Sequence, residues 1–236
     1  MKKIIINIFL IMILIVSVYK IGEKLINYKK ANEVYSKINQ VKNKQLEKIS
    51  EKGKSLDLSY INKDYRGWIS INNTNIDYPV LQGIDNNYYL NRDINKNYLL
   101  SGSIFLDFRN NDFYDFNTVI YGHNMRNNTM FGELDKFRDS DFAKENAIKI
   151  ITKNGDTMYY KVFSVYLTDS NSDYITTSFS STSQYENFIN VVKSKSIIES
   201  KIKLTKDDKI LTLSTCSNQS YNARTVIHAK LMDKIK

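Results

Sequence analysis

One cysteine stands in the chain, Cys216, which closes the run Thr212-Leu213-Ser214-Thr215-Cys216 shortly before Arg224. A solitary cysteine forms no internal disulfide, so it either packs as a small apolar side chain or works through its thiolate. A working thiolate needs a base or a positive neighbour, because a free thiol with a pKa of about 8.5 is only slightly ionised at neutral pH. Two histidines are available. His123 lies in Tyr121-Gly122-His123-Asn124, where the glycine predicts a turn that projects the imidazole from a strand end. His228 lies in Val226-Ile227-His228-Ala229-Lys230-Leu231, which alternates as a strand with His228 on the face of Lys230, a placement suited to a solvated residue. Functional groups gather at strand ends and loops, so His123 is the preferred partner of Cys216. Arg224 opens the last strand. Its guanidinium stays charged at any working pH and suits either a thiolate or oxyanion partner or a surface ion pair.

Other chemistries find little support. Asp107, Asp169 and Asp173 show no spacing that demands a Ser/His/Asp arrangement. One cysteine and two well-separated histidines make no metal-ligand cluster, and no glycine-rich phosphate loop occurs, so no metal and no cofactor is expected. The formal net charge of +9 comes from lysines dispersed among acids rather than from a basic stripe, which argues against a nucleic-acid partner. It suits a protein facing an anionic membrane or wall polymer.

The N-terminus carries Lys2 and Lys3 before an apolar stretch from Ile4 to Tyr19, interrupted only by Asn7 and Ser17. That length roughly matches a bilayer's hydrocarbon core, and no small-residue cleavage site follows, so an uncleaved signal anchor over residues 1–25 is expected rather than a removed signal peptide. The two lysines would stay in the cytoplasm and place the remainder on the extracellular face. An exported domain with a single cysteine lacks the disulfides common to small secreted proteins, which favours a thiol in use.

Positioning falls to the elements between. Residues 26–60 read as a helical stalk or packed N-terminal helices, with Val34, Ile38, Val41 and Ile49 near helical spacing. From Tyr65 the pattern becomes short β-branched and aromatic runs between Asn, Asp and Gly, at 67–71, 76–81, 103–107, 117–121, 147–152, 158–167, 209–213 and 225–231. Helical interruptions are expected over 130–137, just after Asp139, and over 184–198, where Tyr185, Phe188, Ile189 and Val192 recur at i, i+3, i+4, i+7. About eight short strands with few long helices predict a mainly β protein, an antiparallel-rich barrel or sandwich rather than a doubly wound α/β fold. At 42% hydrophobic and 25% charged residues, the composition supports one globular domain over residues 61–236.

The run Thr212 to Cys216 followed by Arg224 resembles the T-L-x-T-C…R signature of sortases, and Tyr121-Gly122-His123 is similar to their catalytic-histidine turn. Three further blocks resemble the class B sortases in particular: Ile76 to Gly83, Gly102 to Asn110, and Asn128-Thr129-Met130-Phe131. The resemblance implies an eight-stranded sortase-type β-barrel with N-terminal helices and a few peripheral helices. It implies a cysteine transpeptidase of a Gram-positive cell wall that needs no calcium. Its partners would be a surface protein bearing a C-terminal NP-x-T-N-like sorting signal and a peptidoglycan-precursor amine, with the membrane engaged through the N-terminal anchor. Catalysis would fall to Cys216, His123 and Arg224, and the substrate groove would include Asn86, Leu90, Ser170, Tyr174, Ile175 and Ser214. The chain departs from the pattern at Ser217, where some relatives carry an acid, and at Ser170, where a threonine can occur.

Two other readings fit the residues alone. A cysteine peptidase would use the same thiolate and histidine and release its acyl group to water. A membrane-tethered binding module would have Cys216 merely buried.

Overall fold

Eight strands close on themselves in the order β1-β2-β3-β4-β7-β8-β6-β5. They are β1 (Tyr65–Ile71), β2 (Asp77–Leu81), β3 (Ile104–Leu106), β4 (Asn117–Gly122), β5 (Ala147–Thr152), β6 (Thr157–Thr168), β7 (Ile210–Cys216) and β8 (Arg224–Ile235). The computed structural model describes residues 2–52, 55–169, 173–216 and 224–235, with side chains for all of these except residues 48–52 and Cys216. Neighbours pair antiparallel except β2 with β3 and β4 with β7, which run parallel. The barrel is therefore mixed, and its closure removes free sheet edges.

The barrel interior is filled by Ile69, Ile71, Val80, Ile104, Leu106, Ile120, Ile148, Ile150, Val165, Leu211, Leu213 and Ile227, all buried. Two further clusters bury parts of the outer surface. Trp68, Leu81, Phe105, Val119 and Tyr121 lie in one, with Ile38 of the helix α1 (Lys2–Lys52). Phe163, Tyr166, Ile210 and Val226 lie in the other, beneath α3 (Thr182–Ser194), which follows the one-turn α2 (Ser140–Glu145). Burial on both faces explains why β4 reads as an unbroken buried run instead of an alternation. Pro79 is accommodated because β3 joins β2 only from Val80 onward, so the missing N–H falls where β2 has one partner strand.

The structure corrects three local expectations. His228 is not solvated but fully buried, because α3 covers the outer face of β6 and β8, and its ring lies against Phe163, Tyr166 and Phe188. The helix expected over 130–137 begins only at Leu134, as a 3₁₀ segment to Arg138. Met130 has a φ of 54°, a left-handed conformation that cannot start a right-handed helix. Gly122 is the last residue of β4 rather than a turn glycine; any Cβ there would strike Ile104 and Phe131, so glycine is needed for close packing.

α1 runs unbroken through the boundary between residues 25 and 26. Its first half exposes a row of apolar side chains, and the helix is long and apolar enough to cross a membrane. Its second half packs on the barrel through Ala31, Tyr35 and Ile38. There the Tyr35 hydroxyl donates to the Gly102 carbonyl at 2.6 Å, and Lys42 pairs with Asp77 above the Trp68 ring.

Candidate active site

β4 and β7 run side by side and in parallel, so their C-terminal ends emerge at the same rim of the barrel. β4 ends at Gly122, which places His123 just past the strand end. β7 ends at Cys216, whose backbone pairs in register with Arg224 at the start of β8. The thiol-bearing residue and the arginine are thus direct cross-strand neighbours, with the histidine one strand away.

A groove of about 220 Å³ opens at this rim. It is lined by His123 and Arg224 together with Asn86, Leu90, Tyr174, Ile175 and Ser214, so seven of the nine residues proposed from sequence meet in one place. Of the other two, Cys216 is located by its backbone, and Ser170 lies outside the described residues. Phe105, Tyr121 and Thr215 also line the groove, although the sequence reading did not single them out. Tyr121 and His123 are two apart, and shared strand parity is the signal that would have found Tyr121.

His123 is half-buried, and its Nε2 lies 2.7 Å from the Leu90 carbonyl. A carbonyl oxygen only accepts, so Nε2 carries a proton and Nδ1 is the nitrogen left for proton exchange. Leu90 ends up there because the 3₁₀ segment Tyr88–Asn91 packs on Gly102. Gly102 has a φ of 56°, and a Cβ at that position would run into the Tyr89 and Leu90 carbonyls. The imidazole is therefore oriented by backbone that only glycine admits.

Two polar atoms on the groove have no hydrogen-bond partner among the described residues: Arg224 Nε and Thr215 Oγ1, both buried. Leaving a buried donor unpaired costs on the order of 1–3 kcal/mol, so each such group calls for a partner. Tyr174 contrasts with them, since its hydroxyl shares a hydrogen bond with Ser214 Oγ at 2.8 Å. No cluster of three or more potential metal-ligating side chains occurs among the described residues.

A closed mixed barrel whose rim groove holds His123 and Arg224, beside the strand end that carries Cys216, suits a thiol-dependent acyl-transfer enzyme. The family model of the sortase domain matches residues 69–232. Sortase B of Listeria monocytogenes is 42% identical over 75% of this chain and 74% of its own length. Sortase B of Staphylococcus aureus is 37% identical over 97% of this chain and 96% of its own length. The solved Staphylococcus aureus sortase B–substrate complex superposes with a TM-score of 0.77 at 34% identity, covering 86% of this chain and 98% of that one. The chain belongs to the sortase family of cysteine transpeptidases, and these relatives are class B members. Sortases are cell-surface enzymes, and the apolar start of α1 fits a membrane anchor.

Proposed function

We propose that this sortase cleaves a C-terminal NP-x-T-type sorting signal after its threonine and joins the surface protein to a peptidoglycan-precursor amine, with Cys216, His123 and Arg224 as the catalytic residues. The carrying observation is the convergence of His123, Arg224 and the end of β7 on one groove in which Arg224 Nε has no partner among the described residues.

In this mechanism the Cys216 thiol passes its proton to His123 Nδ1, the resulting thiolate sulfur bonds to the threonine carbonyl carbon, and the carbonyl π electrons move onto oxygen. Arg224 donates to that oxyanion. The C–N bond then breaks, and the departing amine takes a proton from His123 through Nδ1, since Nε2–H is held by Leu90. The incoming amine gives a proton back to His123 as it displaces the sulfur from the thioacyl intermediate. Asn86, Leu90, Ser170, Tyr174, Ile175 and Ser214 hold the signal in the groove.

The chain divides in the same proposal into a membrane anchor over residues 1–25, a helical segment over 26–60 and a catalytic domain over 61–236. Lys2 and Lys3 keep the N-terminus in the cytoplasm, so the barrel faces outward.

The test uses a library of peptides with variable sorting signals, read by mass spectrometry for cleavage and for transfer with and without a wall-type amine. Expected are an NP-x-T-type optimum, an amine adduct when the acceptor is present, and no product from Cys216→Ala. Hydrolysis alone at every amine concentration would make the protein a peptidase, and product from Cys216→Ala would remove the site assignment.

A further inference from the structure

Beneath the groove lies a fully buried carboxylate that the proposed mechanism does not use. Asp107 follows β3, and each of its oxygens is filled with donors. Oδ1 accepts from the Arg109 backbone N–H at 2.9 Å and from Arg109 Nε at 2.8 Å. Oδ2 accepts from Arg109 Nη2 at 2.7 Å, the Tyr121 hydroxyl at 2.8 Å and Asn86 Nδ2 at 2.9 Å. Burial alone would raise the pKa of this carboxyl, but the bonds from Arg109, Tyr121 and Asn86 together outweigh it and hold the group below its ordinary value.

These donors belong to separate parts of the groove. Asn86 lies on the connection after β2, and its other amide atom accepts from the Phe108 N–H at 3.0 Å, so the amide cannot rotate without losing one bond or the other. Tyr121 lies on β4, two residues before His123. Arg109 Nη2 continues to the Ile175 carbonyl at 2.9 Å, in the 3₁₀ segment Asp173–Ile175. One ion pair therefore ties together segments separated by many residues in sequence, each presenting a side chain to the groove.

We propose that Asp107 and Arg109 are positioning residues that hold Asn86 and the Ile175 backbone in one register for an extended peptide, and so set the affinity for the sorting signal. The inference rests on reading this groove as the substrate site. A purely structural ion pair would hold the loop without regard to substrate; this one has its free ends attached to groove-lining groups. The planar guanidinium is needed because its fork satisfies both carboxylate oxygens while an N–H remains for Ile175.

Asp107→Asn tests this with little change of volume. It keeps the acceptor facing the Arg109 backbone but places an NH₂ against the donors at Oδ2. Tyr121 can turn its hydroxyl to accept; the Asn86 amide cannot without releasing Phe108. The full chain in detergent is assayed by steady-state cleavage of an NP-x-T-type peptide. Asp107→Asn and Arg109→Lys should each raise KM by about 10-fold with kcat within about 3-fold of wild type, the pattern of lost ground-state binding. In a double-mutant cycle, Asp107→Asn should add less than its full KM effect when Asn86→Ala is already present, because the carboxylate acts through Asn86. An unchanged KM in both folded single variants, or full additivity with Asn86→Ala, would overturn the proposal. Cys216→Ala is run with the same peptide: if it still cleaves, the site assignment fails, whereas an inactive Cys216→Ala beside unchanged KM values sinks only the positioning role.

Discussion

The two histidines sit on one barrel, His123 just past the end of β4 and His228 within β8, yet their hydrogen bonds end differently. His228 in the barrel wall is closed on both nitrogens. Thr212 Oγ1 donates its only proton to Asn117 Oδ1 at 2.6 Å, so it must accept from His228 Nδ1–H at 2.8 Å, and Nε2 then accepts from the Tyr166 hydroxyl at 2.9 Å. His123 at the groove spends Nε2 on Leu90, and no protein hydrogen bond engages Nδ1 among the described residues. In the proposed mechanism this difference separates a group that holds the fold from one that acts on a substrate. In the wall every polar atom of the relay has its partner; at the groove Arg224 Nε and Thr215 Oγ1 have none among the described residues.

The largest effect expected from this contrast is in turnover. His123→Ala should lower kcat/KM on the order of 10³-fold, within the usual range for a general acid and base. His228→Ala should leave kcat of the folded protein within a few-fold, while lowering stability by about 2–4 kcal/mol through a cavity and an unpaired Tyr166 hydroxyl. Cleavage kinetics paired with urea melts of both variants measure this. The reverse ranking in kcat/KM would exchange the two roles.

Arg224 sharpens the comparison within the groove. A surface ion-pair arginine would tolerate Arg224→Lys, since exposed pairs contribute at most about 1 kcal/mol and leave catalysis alone. An arginine whose guanidinium meets the oxyanion should lose about 10² in kcat with either Arg224→Lys or Arg224→Ala, because the ammonium keeps the charge but not the planar donors. The loss should fall on kcat and kcat/KM together, as for an interaction made only in the transition state. A near-wild-type kcat for Arg224→Lys would leave only a role for positive charge.

His228 carries a smaller, pH-dependent effect. Burial and the nearby Lys195 charge push its pKa down to about 3. The folded state keeps it neutral, so below the unfolded value of about 6.5 the unfolded chain binds the extra proton. This contribution to stability is present above pH 6.5 and lost as pH falls toward 3. Between pH 7.5 and 5 wild type should lose about 2 kcal/mol more than His228→Gln, from roughly 1.4 kcal/mol per unit below 6.5. Parallel urea midpoints at the two pH values read the difference, and equal losses would show that His228 titrates normally in the fold.

Strands were legible where β-branched and aromatic runs met Asn and Gly, and α3 was legible from the spacing of Tyr185, Phe188, Ile189 and Val192, all buried as expected. The barrel was legible through the sortase resemblance, while the strand pattern alone left barrel and sandwich open; the two parallel pairings were not legible, because register between β4 and β7 depends on residues far apart in sequence. The same limit hid the burial of His228. Alternation told which face it occupied, but not that α3 would cover that face. At the groove, Cys216, His123 and Arg224 stood out by residue type. The support beneath them did not, since Leu90 holds His123 through a backbone carbonyl that carries no side-chain signature. Asp107 was visible as an acid of no particular spacing; only the fold reveals what it connects.

The smallest effect expected comes from α1, whose two halves differ in burial. The first buried residue of α1 is Ala31, and the side chains from Ile4 to Ile26 make no part of the core. Removing residues 1–27 should therefore release the protein from the membrane while leaving the barrel's melting temperature within about 2 °C and kcat/KM within about 2-fold, because no packed group is lost. Removing residues 1–42 takes Tyr35, Ile38 and Lys42 as well. Tyr35 braces the Gly102 carbonyl, Gly102 backs the Leu90 carbonyl, and Leu90 orients His123, so this deletion should lower activity along with stability. Cleavage rates and thermal melts of the two truncations, measured beside the full chain in detergent, test whether α1 changes role near Ala31. If the shorter deletion already destabilises the barrel, the first half of the helix contributes to the fold and the division fails; if the longer one leaves kcat untouched, the brace from Tyr35 to His123 carries no catalytic consequence.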